Sequence, residues 1–209
     1  MGLFKHFGFA LFTSLLLSGC SALVTPDKTD QIGALKPGTY QIDPQHSTLL
    51  FKIEHLGLST YVGRFNDFGA SLEFDPANIE ATRLSARVDT ASVDVDDSII
   101  EGTLQNSDWF HSEQFPQAAF TSTAIKPLGD NRFIFTGDLT LRGVTKSVSF
   151  QGRFNGGATN LLTRRYTLGF AASGTINRTD FGVDRYTGLV GEEVKLEFYA
   201  EFQRQSPSD

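Results

Sequence analysis

The chain has 209 residues, 40% of them hydrophobic, one cysteine and a formal net charge of −6. Its length fits one domain with a large core, and its single cysteine excludes a disulfide within the chain. The acidic charge argues against nucleic acid as a partner and against broad electrostatic adhesion to anionic lipid.

The first predicted element is a bacterial lipoprotein signal. A short polar start precedes residues 7–17, an apolar stretch too short to cross a bilayer as a helix. Residues 17–20 then read Leu-Ser-Gly-Cys, which predicts cleavage before Cys20 and lipidation of that residue. An ordinary signal peptide with a nearby cysteine is the alternative. Ser21, rather than aspartate, resembles the pattern that sorts bacterial lipoproteins to the outer membrane.

These features divide the chain into four segments. Residues 1–19 are predicted to be the signal peptide, and its loss leaves a mature charge of −7 because Lys5 goes with it. Residues 20–37, mixed and aperiodic, are predicted to be the lipidated cysteine and a flexible tether with a reach of about 20–25 Å. Residues 38–204 form the folded domain, and residues 205–209 a short tail.

The folded domain alternates apolar and polar residues, which is typical of half-buried antiparallel strands. About eight or nine antiparallel strands with one apolar face predict an all-β barrel or a sandwich. The strands are predicted over residues 39–43, 49–54, 68–74, 83–89, 118–125, 133–141, 148–154, 166–176 and 194–202.

One segment breaks the alternation. Ser98 and Glu101 fit a capping box that opens a short helix running to about Leu104. Trp109 and Phe110 follow the helix. We expect this helical insertion to plug or cover one end of the barrel.

The histidines do not predict a catalytic or metal site. His46 and His55 are nine residues apart, which would place them on opposite faces of one regular strand. No second carboxylate or histidine follows at ligand spacing, and His46 cannot act as base for its neighbour Ser47 because adjacent strand residues point apart. The sequence therefore predicts no enzyme, no cofactor and no metal ligand.

The apolar face allows two interpretations. A barrel of eight strands can be filled by its own side chains, or small residues between large aromatics can leave room for one ligand. The small inward positions are Ala70, Ala86, Gly137, Gly152, Ala172, Gly174 and Ala200.

Several motifs, taken in order, resemble the YceI-like family of lipocalin-like periplasmic proteins. They are Asp43-Pro44-Gln45-His46-Ser47, Phe51-Lys52-Ile53-Glu54-His55-Leu56-Gly57, Gly63-Arg64-Phe65, Phe115-Pro116-Gln117-Ala118-Ala119-Phe120, Gly137-Asp138-Leu139-Thr140-Leu141-Arg142-Gly143-Val144-Thr145-Lys146 and Arg178-Thr179-Asp180-Phe181-Gly182. The resemblance implies an extended, lipocalin-like antiparallel β-barrel of about eight strands with a short helical insertion. It also implies a long apolar pocket for polyisoprenoids, isoprenoid quinones or other long-chain amphiphiles, and no established enzymatic activity. It matches His46 and His55 to the family's two N-terminal histidines. Residues 100–104 depart from it, since they lack the Arg-Asp-x-His-Leu that the family often carries there.

We therefore predict a lipid-anchored envelope protein that binds a long-chain apolar ligand, attached to a membrane through Cys20. A stress or interaction protein with a filled barrel, and a lipid-acting enzyme, stay open as alternatives, and so does a homodimer. The expected pocket walls are Phe51, Ile53, Phe120, Phe135, Phe150, Phe170 and Phe198, with Trp109 and Phe110 near the mouth and His55 as the polar contact.

Overall fold

A computed structural model describes residues 26–206. The predicted signal peptide, Cys20 and the last three residues lie outside this range. The strands are β1 (Gly38–Ile42), β2 (Thr48–His55), β3 (Ser59–Phe65), β4 (Phe68–Phe74), β5 (Arg83–Asp89), β6 (Val93–Asp94), β7 (Gln117–Gly129), β8 (Arg132–Leu141), β9 (Val144–Thr159), β10 (Tyr166–Asn177) and β11 (Val190–Arg204). One α-helix, α1 (Ser98–Gln105), lies between β6 and β7.

The strands close into an antiparallel barrel. Neighbouring strands pair in the order β1-β4-β5-β7-β8-β9-β10-β11, and β1 also pairs with β11, which completes a ring of eight. Beyond β1, the hairpin β2–β3 continues the wall on β11, and the short β6 pairs with β3. The predicted all-β barrel with a short helical insertion is confirmed.

Strand β8 shows how the alternating pattern produces this wall. Phe133, Phe135, Gly137, Leu139 and Leu141 are buried and share one face, while the alternate residues are partly or fully exposed. Because successive strand side chains point to opposite faces, a period of two fixes which residues enter the barrel. The same rule sets the register against β9, where Phe135 lies opposite Phe150.

The barrel end remote from α1 is closed by its own side chains. Tyr40 and Leu168 have no exposed surface, and Leu35 and Phe154 pack in the same cluster. The Tyr40 hydroxyl donates to the backbone oxygen of Lys36, and burial raises the pKa of this phenol well above its ordinary value. Apolar packing at this end leaves the opposite end as the entrance.

Part of the predicted tether lies on the barrel. Thr29 and Gly157 exchange two backbone hydrogen bonds of 3.0 and 2.8 Å, and Lys28 donates to the Asn155 oxygen. Leu35 is buried at the closed end. The expectation of a flexible tether reaching residue 37 is therefore wrong for residues 28–35, because the buried leucine and the bridge at Thr29 hold this segment.

The N-cap of helix α1 is Asp97, one residue before the predicted cap Ser98. The Asp97 carboxylate accepts hydrogen bonds from the backbone N–H groups of Ile99 and Ile100, at 2.9 and 3.2 Å. Glu101 instead accepts from the backbone N–H of Val95. The predicted capping box at Ser98 is thus wrong, although the helix itself is confirmed. Within residues 26–206, no helix has the length and apolar character needed to cross a membrane.

Candidate functional site: an apolar cavity in the barrel

The barrel encloses a cavity of about 580 Å³. Its walls come from β2–β5, β7–β11, α1 and the loop after β10, and they are overwhelmingly aliphatic and aromatic. Cavities that hold small molecules commonly range from about 300 to 1,000 Å³ and carry a few polar groups in an apolar lining. The filled-barrel interpretation therefore does not describe this interior.

The mouth lies beside α1. Ile100 and Leu104 of the helix line the cavity. So do Tyr186, in the loop before β11, and Val190, the first residue of that strand. Tyr186 is half exposed, and Ile100 is also partly open to solvent. The helix therefore lies at the entrance, as the expected cover of one barrel end requires, and it leaves that entrance open.

All ten predicted ligand-binding side chains line this cavity. They form three groups: the phenylalanines of the walls, Ile53 with His55 on β2, and Trp109 with Phe110 beside the mouth. The full set is Phe51, Ile53, His55, Trp109, Phe110, Phe120, Phe135, Phe150, Phe170 and Phe198. That they contact a ligand stays a prediction.

The phenylalanines support one another edge to face. The Phe150 ring centroid lies 5.5 Å from that of Phe120 and 5.6 Å from that of Phe198, at interplanar angles of 81° and 83°. Phe170 and Phe202 form a similar pair at 5.9 Å. Edge-to-face pairs of this kind add attraction beyond the area they bury. They fix the rings in place, so the wall keeps its shape around the cavity.

The inward glycines do not create the empty volume. A Cβ atom at Gly152 would overlap the Phe135 ring, and one at Gly174 would overlap the Phe150 ring. These glycines make room for the neighbouring aromatic rings, so the interpretation that they leave space for a ligand is wrong. The alanines serve that purpose, since Ala70, Ala86, Ala172 and Ala200 all line the cavity.

The polar lining groups cluster toward the mouth. Burial, with added effect from the charges of Asp97 and Glu101, raises the pKa of the Tyr61 hydroxyl. Tyr61 therefore stays neutral at pH 7 and lies close to the first turn of α1. The complete polar lining is His55, Tyr61, Thr90, Thr103, Trp109, Arg178 and Tyr186.

Sequence reasoning missed several lining residues. Strand β3 supplies Tyr61 and Phe65, and the ring of Phe65 lies 5.6 Å from that of Phe110. The alternation of Tyr61, Gly63 and Phe65 is the signal that predicts this strand, but glycine weakens the apolar pattern. Arg178 belongs to a motif that the sequence singled out without giving it a role.

His46 lies away from the cavity, on the turn between β1 and β2. Its Nδ1 is 2.8 Å from the Asp43 carboxylate, and that hydrogen bond raises the pKa of His46. Burial raises the pKa of Asp43, but its hydrogen bonds with His46, Gln45 and Gln203 outweigh burial and lower it overall. The possible ligand atoms of Asp43, His46 and Glu201 lie within 4.8 Å of one another. Spacing along the sequence does not predict this cluster, because Glu201 lies on β11, far from His46 in the chain.

Three comparisons place this architecture among known proteins. A family model described as a YceI-like domain matches residues 40–202. Protein YceI from Escherichia coli O17:K52:H18 (strain UMN026 / ExPEC) is 35% identical over 185 residues, which cover 88% of this chain and 90% of that relative. The crystal structure of Burkholderia cenocepacia BcnA matches with a TM-score of 0.70 and 27% identity, over 77% of this chain and 98% of BcnA.

A more distant structure shares the fold. It is a polyisoprenoid binding domain from Saccharophagus degradans implicated in plant cell wall breakdown. The TM-score is 0.60 at 15% identity, over 81% of this chain and all of that domain.

Proposed function

Because the chain belongs to the YceI-like domain family, we propose that its barrel binds and carries one long-chain apolar ligand without catalysing a reaction on it. The observation that supports this most directly is the 580 Å³ cavity. Its apolar wall suits a hydrocarbon chain, and its polar groups gather at the open end. A polyisoprenoid, an isoprenoid quinone or a fatty-acyl amphiphile has this division into tail and head. The polyisoprenoid binding named for the Saccharophagus degradans domain belongs to the same class.

Such binding requires no chemical step. At about −0.3 kcal/mol per heavy atom, a ligand of about thirty heavy atoms would gain roughly −9 kcal/mol, which corresponds to submicromolar affinity. Burial of the chain in an aromatic wall supplies this free energy through the hydrophobic effect. The protein therefore acts by holding the ligand out of water and releasing it elsewhere.

The proposal includes a place in the cell. The lipoprotein pattern ending at Cys20 supports an acylated protein held on an envelope membrane and facing the periplasm, with the outer membrane favoured by Ser21. A carrier of insoluble lipid in that compartment would shield the ligand between membranes.

The experiment compares two leucine substitutions on adjacent positions of β5. Ala86 lines the cavity, whereas Ser85 is exposed on the outer face. Ala86→Leu fills ligand volume, so we expect the delipidated variant to bind farnesol about tenfold more weakly than the wild type, while its Tm stays the same or rises. Ser85→Leu should leave farnesol affinity unchanged.

Organic extracts of the purified proteins complete the test. Mass spectrometry of the wild type should show a long-chain lipid at near one copy per protein, and Ala86→Leu should reduce it. A wild type that yields no lipid, and that takes up neither farnesol nor tetradecanoic acid, would overturn the carrier proposal.

A further inference from the structure

Arg178 stands out among the cavity-lining residues. It begins the turn that follows β10, lines the cavity beside Trp109, and is only 3% exposed. The residues around the rest of the cavity are aliphatic, aromatic or neutral polar side chains, together with His55. A permanently charged guanidinium in such a wall is costly to desolvate. A buried Arg178 therefore requires hydrogen-bond acceptors or an opposite charge nearby.

Three backbone carbonyls accept hydrogen bonds from Arg178. The Nε of Arg178 donates to Gly191 at 2.8 Å, Nη1 donates to Val183 at 2.7 Å, and Nη2 donates to Val190 at 3.0 Å. Its Cζ atom lies 5.4 Å from the Trp109 ring centroid. A guanidinium carries more N–H donors than these carbonyls accept, so each Nη atom retains a further hydrogen for another acceptor.

A carboxylate does not supply the rest within the described residues. Among residues 26–206, no Asp or Glu oxygen lies within ion-pair distance of Arg178. Burial lowers the pKa of Arg178, and the more distant charges of Glu192 and Asp184 oppose this only in part. The cation is therefore fixed in direction by backbone dipoles and left without a charged partner at the cavity wall.

We propose that Arg178 is the head-group subsite of the cavity and selects long-chain ligands that end in an oxyanion, a carboxylate or a phosphate. This inference rests on the proposed carrier function and narrows its ligand class. The oxyanion accepts the remaining N–H hydrogens of the guanidinium, and the tail extends between the phenylalanines toward the closed end. Hydrogen bonds between two charged groups are stronger than those to a neutral hydroxyl, so the site distinguishes an acid from the alcohol of equal chain length.

The first test uses the delipidated wild type and two matched ligand pairs. Tetradecanoic acid is compared with tetradecan-1-ol, and farnesyl phosphate with farnesol, by calorimetric titration at pH 7.5. We expect each anionic ligand to bind about ten- to a hundredfold more tightly than its alcohol. The pair with the larger ratio tells whether a carboxylate or a phosphate is preferred. Equal affinities within both pairs would overturn the head-group proposal and leave the carrier function standing, whereas no binding of any of the four would overturn the carrier function itself.

Arg142 provides a matched control variant. It too donates to three backbone carbonyls at this end of the barrel, those of Trp109, Gly182 and Ser107, but it does not line the cavity. Arg178→Gln should abolish the preference for the anionic ligands, Arg178→Lys should retain part of it, and Arg142→Gln should keep it. Loss of the preference in Arg142→Gln alone would contradict the assignment.

A crystal structure of the wild type with tetradecanoic acid decides the matter even if the Arg178 variants do not fold. The carboxylate should lie within hydrogen-bond distance of the Arg178 guanidinium. A carboxylate found at the mouth, against another side chain, would overturn the proposal.

Discussion

At the scale of single residues, a side chain that points outward is not always exposed. Glu197 lies on the outer face of β11, opposite in parity to Leu196 and Phe198, yet it is buried. Lys195 and Lys52 cover it, with Nζ atoms 2.9 and 3.0 Å from its carboxylate. The hydrogen bonds from Lys195 and then Lys52 lower the pKa of Glu197 to about 2.

This network predicts a stability that depends on pH. Because the folded pKa of Glu197 lies below its ordinary value of 4.5, the ion pairs stabilise the fold fully above that value and are lost as pH falls toward about 2. We expect Glu197→Gln to lower Tm at pH 7, and the difference from wild type to shrink between pH 4.5 and 2. Thermal unfolding followed by circular dichroism across this range measures it.

The control is Glu193→Gln, on the same strand. Glu193 is exposed and makes none of the ion pairs found among residues 26–206. The substitution Glu193→Gln should therefore leave the dependence of Tm on pH close to that of the wild type. A difference in Tm between the wild type and Glu197→Gln that stays constant down to pH 2 would contradict a stabilising role for these ion pairs.

At the scale of elements, α1 depends on one carboxylate for its first turn. Removing the Asp97 cap exposes two unpaired N–H groups and should cost about 1 kcal/mol, within a range of about 0.5–2. We predict that Asp97→Ala destabilises the protein by this amount, whereas Ser98→Ala changes the unfolding free energy by less than about 0.5 kcal/mol. Urea unfolding followed by the fluorescence of Trp109, the single tryptophan, reads this end of the barrel. A larger effect from Ser98→Ala would restore the capping box that the sequence predicts.

The sequence predicts most elements because barrel strands read as period-two alternation. Strands β4 and β5 have the predicted bounds, and β9 and β11 extend beyond theirs into Gly- or Glu-rich segments whose pairing is set by the neighbouring strand. Two features escape a pattern of this kind. The central inward position of β3 is a glycine, which weakens the apolar alternation. For the cap of α1, Asp97 and Ser98 are both suitable residue types, and only the three-dimensional structure shows which one accepts the hydrogen bonds.

The cavity wall is predictable for the same reason, and its polar end is not. Inward parity identifies Phe51, Phe135 and Phe198 directly, since their strands are regular. Arg178 follows the end of β10, in a turn without periodicity. Its direction is set by the carbonyls of Val183, in the loop before β11, and of Val190, at the start of β11. A hydrogen bond between two segments that are far apart in the chain leaves no periodic pattern in the sequence of either segment.

At the scale of the whole molecule, the barrel has two unlike ends. Thr29 is fixed to Gly157 near the closed end, while Val144, at the other end of β9, lies toward α1 and the mouth. Thirteen residues of β9 separate those levels, about 43 Å along the strand or about 33 Å along a barrel axis tilted by about 40°. Residues 20–29 span at most about 32 Å even when fully extended. A flexible chain of that length has a root-mean-square reach of only about 15–18 Å, so the proposed anchor at Cys20 would favour an orientation with the closed end toward its membrane and the mouth away from it.

This arrangement predicts that anchoring and ligand binding are separable. Cys20→Ser should release a folded protein into the soluble periplasmic fraction, because the acidic mature chain offers no broad electrostatic attachment to anionic lipid. Its affinity for farnesol should match that of the anchored protein, since the proposed attachment lies on the side of the closed end, remote from the mouth. Single acyl chains anchor only marginally, so the proposed anchor at Cys20 would need more than one acyl chain to retain the protein on a membrane.

Fractionation in high salt and radiolabelled palmitate incorporation measure the two states side by side, with Ser21→Ala as the control that keeps the cysteine. The control should stay membrane-bound and labelled, and Cys20→Ser should be neither. A Cys20→Ser protein that remains with the membrane at high salt would contradict the anchor. A released protein with weakened farnesol binding would contradict the separation of the two ends, because the removal of an attachment at the closed end would then be felt at the mouth.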